Sequence, residues 1–503
     1  MADFMLGVDA GGTAVKVAVI SAAGVEVGTA ATTPRMIAPA PGHAERDPEE
    51  LWAAVTRTIP AALTAAGVGA EDIACVGLTG YGNGLYLVDA AGRPVMNGIL
   101  ASDIRAAGIV EEWRAAGLEP ERLARTRQRF WPATPAALIA WLVRHRPEAI
   151  AAAAAVVQCK DFLRLRLTGR LAAEVTDQST GALVGADRRD QDRPHLAMLG
   201  LSACERLLPP VIETMTIAGE VTREAAAATG LRPGTPVAAG LCDNLAVMYG
   251  TGVVDTGRIV VMSGTWGLHQ SFLDAPVDDG AVLICAHGAR PGTWLAIEGS
   301  PTSASSLEWL IENVLKPVGG GERGQDLHAL CNRLVAETPP DGPPVYFLPF
   351  LNGAMDCADA RGSLVGLASW HRLGHALRAV YEGVAFEHRR HLERLLAIRP
   401  RPAAARFAGG AARSRPWSEI FAAGLGLALE VPVGREFGAR GAALVAGLVA
   451  GLLPGGDAAV AATARLDRTI EPEPGLAAIL DRRYAGYRRL FDALEPHWKE
   501  LAR

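Results

Sequence analysis

The 503-residue chain contains no CxxC pair, no HExxH, no P-loop of the form GxxxxGKS/T and no Rossmann GxGxxG following an apolar strand. These absences remove the usual sequence marks of zinc hydrolysis, P-loop nucleotide binding and dinucleotide binding. Any use of ATP must therefore rest on another phosphate-binding device. The seven cysteines, at 75, 159, 204, 242, 285, 331 and 357, are odd in number and scattered. That pattern fits a reducing cytosol better than a disulfide framework, and the expected location is cytoplasmic. No basic n-region followed by an apolar h-region opens the chain, so no signal peptide is expected. No uncharged run reaches the ~18 residues of a membrane helix. A net charge of −5 leaves no basic excess for nucleic acid or an anionic membrane surface. Lysine is scarce beside arginine and alanine is abundant; both read as genome base composition rather than function.

What is present is enough for large cores. Hydrophobic residues make up 50% of the chain and charged residues 20%, which excludes a disordered polymer. The length alone suggests ~3 domains, or two large ones. The opening stretch LGVDAGGTAVKVAVIS, residues 6–21, holds two apolar β-type runs joined by a glycine turn, the pattern of a β-hairpin. Asp9 ends the first run, where a carboxylate can hold a hydrated metal ion. Gly11 and Gly12 let backbone N–H groups approach an anion, and Thr13 adds a hydroxyl. An ordinary hairpin with a solvated Asp is the alternative. Lys16 is expected to pair with an acid on the hairpin.

Asp47-Pro48-Glu49-Glu50 has the form of a helix start: an N-cap, a proline at the first position and acids in the first turn. Leu51, Trp52 and Val55 share that helix's apolar face. A buried strand at 73–78 runs into TGYGNGLYLVD, residues 79–89. CKDFLRLRLTGR, 159–170, reads as a helix stopped by Gly169. A strand near 233–241 delivers Cys242, Asp243 and Asn244 to a loop. A second half then repeats the opening: an apolar strand at 258–262, the turn SGTWG at 263–267, and more strand. Glycines at 319–324 form a connection, 377–396 a long helix, 438–453 a small-residue helix, and the tail from 466 a linker and an exposed, Arg-rich amphipathic helix. Both halves alternate strands with helices, which argues for α/β architecture with a join near 251–256.

Two glycine turns opening the two halves, with an Asp-bearing loop before the second, resemble the FGGY family of carbohydrate kinases. The resemblance rests on LGVDAGGTAVK, GHAERDPEELW, the CDN of 242–244, SGTWG, and RGSLVGLASWHRLGHALRAVYEGVAFE at 361–387. FAGGAARSRPW at 407–417 and GARGAALVAGL at 438–448 complete it. It implies an α/β fold of two duplicated actin/hexokinase/Hsp70-like (ribonuclease H-like) domains with a cleft between them. The implied N-terminal domain, 4–251, binds sugar and carries the phosphate hairpin. The implied C-terminal domain, 256–455, binds nucleotide, and 456–503 is a linker and helix. The loop GYGNG at 80–84 and ASDIRA at 101–106 are closer to L-xylulose kinases and polyol kinases than to glycerol kinases, which have Arg-Glu near the first of these. D-xylulose kinases carry Met-His where Gly82-Asn83 stands. Gly12 replaces a threonine usual in relatives, leaving Thr13 as the one hydroxyl of the turn.

The same resemblance implies ATP and Mg2+, and a small sugar or polyol as partner: a ketopentose such as L-xylulose, with erythritol or another polyol as alternatives. It implies Asp243 as general base, with Asn244 beside it, and Asp9 as the Mg2+ holder through water. Gly12, Thr13, Gly264 and Thr265 would face phosphates. Gly409 and Gly410 would lie against adenosine, with Ser414 the next polar candidate there. For the sugar it points to Gly82 through its backbone, Asn83, Asp103 and Asp243, since amides and carboxylates suit neighbouring hydroxyls. Read alone, Asp243 could be the N-cap of the helix at Leu245, and Asp103 the N-cap of one at Arg105. Trp266 could stack on a ligand or pack in a core. A homodimer is admitted by the resemblance, as is a catalytically weak sugar sensor on the same fold.

Overall fold

The computed structural model describes residues 3–277, 280–317, 326–355 and 357–501; the connection expected at 319–324 lies outside them. The chain forms two compact units. The first comprises Met1–Val254, Phe272–Ala296 and Gly434–Arg465, the second Asp255–Ser271, Ile297–Val433 and Leu466–Arg503.

In the first unit, strands Phe4–Ala10 and Val15–Ser21 form the expected antiparallel hairpin, with Asp9 opposite Lys16. Strand Ile73–Gly80 runs parallel to Phe4–Ala10 on its other side and places Thr79 beside Asp9. The full order is Ile217–Glu220, Pro236–Ala238, Ile73–Gly80, Phe4–Ala10, Val15–Ser21, Glu26–Thr32. Helix Pro48–Ala66 covers one face with Leu51, Trp52, Val55 and Ile59 buried. The Asp47 carboxylate caps it by accepting from the Glu49 N–H, and Gly67 closes it at φ 67°. Helix Cys159–Thr168 stops at Gly169, φ 68°, as its sequence suggests.

The other face is covered by a helix from far along the chain, Phe437–Val449. Here glycines bring backbone onto backbone. A Cβ on Gly7 would stand 1.8 Å from the Ala439 carbonyl oxygen, and one on Gly77 1.9 Å from that of Ala442. Gly441 meets helix Asp243–Gly250 in the same way, 1.7 Å from the Ala246 oxygen. No residue with a side chain fits at these crossings. Lys16 finds its acid on this helix's approach, pairing with Glu436 at 2.8 Å rather than with a hairpin residue.

The second unit repeats the plan. Arg258–Ser263 pairs antiparallel with Gly267–Leu273 and parallel with Ala404–Gly409, so that Ser263 faces both Gly267 and Gly409. Leu429–Pro432 follows in parallel, and Leu466–Ile470 closes the edge antiparallel to it. The 26-residue helix Leu373–Ile398 supplies buried Leu377, Tyr381, Val384, Phe386 and Leu395. The tail differs from the reading of an appended linker and exposed helix. Residues 466–470 are sheet, and helix Pro474–Leu494 buries Leu480, Tyr484, Tyr487 and Phe491 in this unit's core. The helix is amphipathic as its sequence suggests, but its apolar stripe is packed into the core rather than left exposed.

Candidate active site

The first hairpin's turn closes by the Gly11 N–H donating to the Ala14 carbonyl at 3.0 Å. Gly12 and Thr13 lie exposed at its tip, and a Cβ on Gly12 would meet nothing within 4 Å. Beneath the turn, the Arg46 guanidinium donates to the carbonyl oxygens of Gly11 and Gly12. Asp9, at the strand end, is half-buried. Burial, then the charge of Asp243, push its pKa up to about 7 from an ordinary 3.8. A Cβ on Gly438 would come 2.3 Å from Asp9 Oδ2, so this carboxylate is packed against the first turn of helix Phe437–Val449.

Asp243 reaches the same neighbourhood through a tied loop. Thr79, beside Asp9, donates its hydroxyl to the Leu241 carbonyl at 2.9 Å, and Gly240 turns the chain at φ 82°. Asp243 is the first residue of helix Asp243–Gly250, whose cap position is Cys242, so its carboxylate is not an N-cap. Instead Oδ1 accepts from the Asn244 N–H at 2.8 Å and from Asn244 Nδ2 at 2.7 Å. Burial pushes its pKa up to about 6, against those hydrogen bonds. Two carboxylates that sense each other, with Lys16 turned to Glu436, form a donor set suited to a hydrated Mg2+. Among the described residues no cluster of three or more His, Cys, Asp or Glu could hold a metal ion.

Under the Asp243 loop lies a charged network that sequence reasoning missed. Lys160 is fully buried and pairs with Asp161 at 2.9 Å, Glu174 at 3.2 Å and Asp177 at 2.9 Å. Arg164 bonds Asp161 and the Ala239 carbonyl, both at 2.7 Å, and Thr176 accepts from the Cys242 N–H. Two cations face three acids, and burial holds the Asp177 carboxyl well above the usual range. The signal available was the Lys160-Asp161 pair opening helix Cys159–Thr168, with Arg164 one turn on; charges buried on such a helix need partners.

Gly82 and Asn83 form a turn in the following loop. Asn83 takes a left-handed φ of 61°, which Asn tolerates better than most residues. Its Oδ1 is buried and has no hydrogen-bond partner. A Cβ on Gly82 would lie 3.5 Å from Thr180 Oγ1 and 3.9 Å from Asp177 Oδ1. Asp103 is neither an N-cap nor open. Its oxygens accept from the Ala44 N–H at 2.6 Å and from three nitrogens of Arg105, which also reaches Glu45. The helix after it starts only at Ala107. Asp103 thus ties the 103–105 loop to the segment leading to Arg46.

In the second unit the turn 263–267 presents Gly264 and an exposed Thr265. The Thr265 carbonyl accepts from the Ser303 N–H and the Ser305 hydroxyl. Trp266 is 39% exposed and is not a core residue. Gly409 has φ 99°, and a Cβ there would stand 2.3 Å from the Ser263 carbonyl oxygen, so the neighbouring strand alone demands glycine. Gly410 has more room, its nearest neighbour being Ala304 Cβ at 3.6 Å. The Ser414 hydroxyl accepts from the Trp417 N–H and donates to Asn332 at 2.6 Å, capping helix Arg415–Leu425.

A strand–glycine-turn–strand unit with a parallel third strand is built twice, with a carboxylate pair by the first turn. Residues 4–250 match the N-terminal domain, and 259–450 the C-terminal domain, of the FGGY family of carbohydrate kinases. The chain belongs to this family and is a sugar kinase. It is similar to an L-xylulose/3-keto-L-gulonate kinase of Escherichia coli, 33% identical over 497 residues, 98% of each chain. An erythritol kinase of Brucella abortus is 27% identical, covering 99% of this chain and 98% of its own. Among solved structures, a xylulose kinase from Rhodospirillum rubrum superposes with a TM-score of 0.88 at 28% identity, covering 99% of this chain and all of that one. Among the described residues, no helix is long and apolar enough to cross a membrane.

Proposed function

We propose that this kinase transfers the γ-phosphoryl group of Mg-ATP to a hydroxyl of a ketopentose of the L-xylulose type, with a tetritol such as erythritol as the second substrate class. In this reading residues 4–251 carry the sugar and phosphate hairpin and 256–455 carry the nucleotide. The observation that supports it most is Asp243. Its Oδ1 is held from two sides by Asn244 and its pKa is lifted to about 6, so Oδ2 is left as the base for a sugar hydroxyl. The hydroxyl proton passes to Oδ2 as the hydroxyl oxygen bonds to the γ-phosphorus and ADP leaves. Bound Mg2+ would neutralise phosphate charge, and Asp9 would hold it through water. The amides and the Thr13 hydroxyl of the first turn, and Gly264 and Thr265 of the second, would take the phosphate oxygens. Gly409 and Gly410 would line the adenosine end, with Ser414, whose hydroxyl and backbone groups are all engaged within the fold, shaping it from behind.

For the sugar, buried Asn83 Oδ1 without a partner is an acceptor waiting for a hydroxyl. Gly82 leaves room where Met stands in D-xylulose kinases, and Asn244 flanks the base. Asp103, with its oxygens occupied, shapes this loop from behind. The test is a coupled assay of ATP with L-xylulose, 3-keto-L-gulonate, D-xylulose, erythritol and glycerol. The reading expects L-xylulose or erythritol to lead glycerol and D-xylulose by ~10-fold or more in kcat/KM. A lead by either of the latter refutes the sugar assignment. Absence of ATP turnover with every sugar would favour a sensor.

A further inference from the structure

We propose that Arg46 is a positioning residue for phosphoryl transfer, acting through the backbone of the first glycine turn. Its side chain is fully buried. Nη1 donates to the Gly11 carbonyl oxygen at 3.3 Å and Nη2 to that of Gly12 at 2.6 Å. In a trans peptide the carbonyl of one residue and the N–H of the next point in opposite directions. Holding the Gly11 and Gly12 carbonyls inward therefore turns the Gly12 and Thr13 N–H groups outward. No group among the described residues accepts a hydrogen bond from either N–H. Two consecutive glycines have the least restricted backbone of any pair, so these peptide planes need an external hold, and the guanidinium fork supplies one.

Charge adds a second effect. Among the described residues Arg46 forms no ion pair, and its Nε is buried without a partner. A buried cation paired only with carbonyls leaves its charge directed at the turn, where an anion at the tip would neutralise it. Gly12 brings no hydroxyl to the turn, and Arg46 acts on it from below, by fixing the amides and by its charge.

The proposal rests on the phosphate-binding reading of this turn, and the experiment separates the two. Wild type, Arg46→Gln and Arg46→Lys are compared for kcat, KM for Mg-ATP, calorimetric binding of Mg-ADP, sugar binding without nucleotide, and Tm. The Gln variant is expected to lose about 10- to 100-fold in kcat/KM for Mg-ATP, the scale of a small misplacement of reacting groups. Its sugar affinity should stay within about twofold, since Arg46 reaches no proposed sugar ligand. The Lys variant keeps the charge but not the fork, and should recover part of the loss; it also carries the test if the Gln variant does not fold. Equal losses for nucleotide and sugar, or no loss in either variant, overturn the proposal and leave the kinase reading intact. A wild-type protein that binds no Mg-ADP overturns both.

Discussion

A carboxylate that must accept a proton and release it within one turnover works best with a pKa near neutral. Asp243, at about 6, meets that condition because burial outweighs the two hydrogen bonds from Asn244. Two outcomes follow. Asp243→Asn should cost ~10²–10⁴-fold in kcat with Tm little changed; retention of more than about a tenth of wild-type kcat, against that expected loss, would remove Asp243 from the base role. The kcat of wild type should climb with pH through about 6 and then level, since only the ionised form accepts a proton; a profile flat from pH 5 to 8 would contradict this. At the sugar end, Asn83→His is compatible with the local backbone, because histidine also tolerates positive φ. It should move the D-xylulose to L-xylulose ratio of kcat/KM toward D-xylulose, and an unchanged ratio would detach Asn83 from specificity.

At the level of elements, the contrast is between glycines with space and glycines without. Gly7 and Gly77 press on helix carbonyls at under 2 Å from an added Cβ, whereas Gly12 has open surroundings. Gly7→Ala and Gly77→Ala should each destabilise by at least the ~1–3 kcal/mol of an overpacked core, and Gly12→Ala should leave Tm within a degree or so, as its added methyl meets nothing. Thermal melts of the three variants check this; a stable Gly77→Ala would mean the helix can back away from the sheet. The same contrast separates what was legible from what was not. Both hairpins, the Asp47 cap and the Gly169 stop follow from rules acting within a few residues, and the sequence carries them openly. The partner of Lys16, the seat of the 437–449 helix and the Lys160 network depend on residues brought together over long stretches of chain. Ser414 and Asp103 were legible as polar loop residues, but not as groups whose oxygens their own neighbours occupy.

At the level of the whole molecule, the raised carboxylates couple folding to pH. Asp9 binds its proton up to about pH 7 in the folded chain but only up to its ordinary 3.8 when unfolded, and Asp243 behaves likewise up to about 6. At these two carboxylates the folded state holds more protons than the unfolded one, so their contribution to stability falls as pH rises, whereas buried His195, His269 and His388, held below the usual histidine range, contribute the opposite slope. In denaturant melts without nucleotide or Mg2+, the stability of wild type relative to Asp9→Asn should therefore fall between about pH 5 and 7. A difference that does not change with pH would assign the effect to other groups.

The glycine seam also sets an order of events at the ribosome. The first unit's sheet is made from residues before 254, yet the helix that covers one face of it begins at 437. At ~5–20 residues per second, the intervening ~180 residues take roughly 10–40 s to emerge. During that time Gly7 and Gly77 border an uncovered face, and any chaperone that shields nascent apolar surface has this strip to hold. The first unit starts folding early and finishes late, after most of the second has been made.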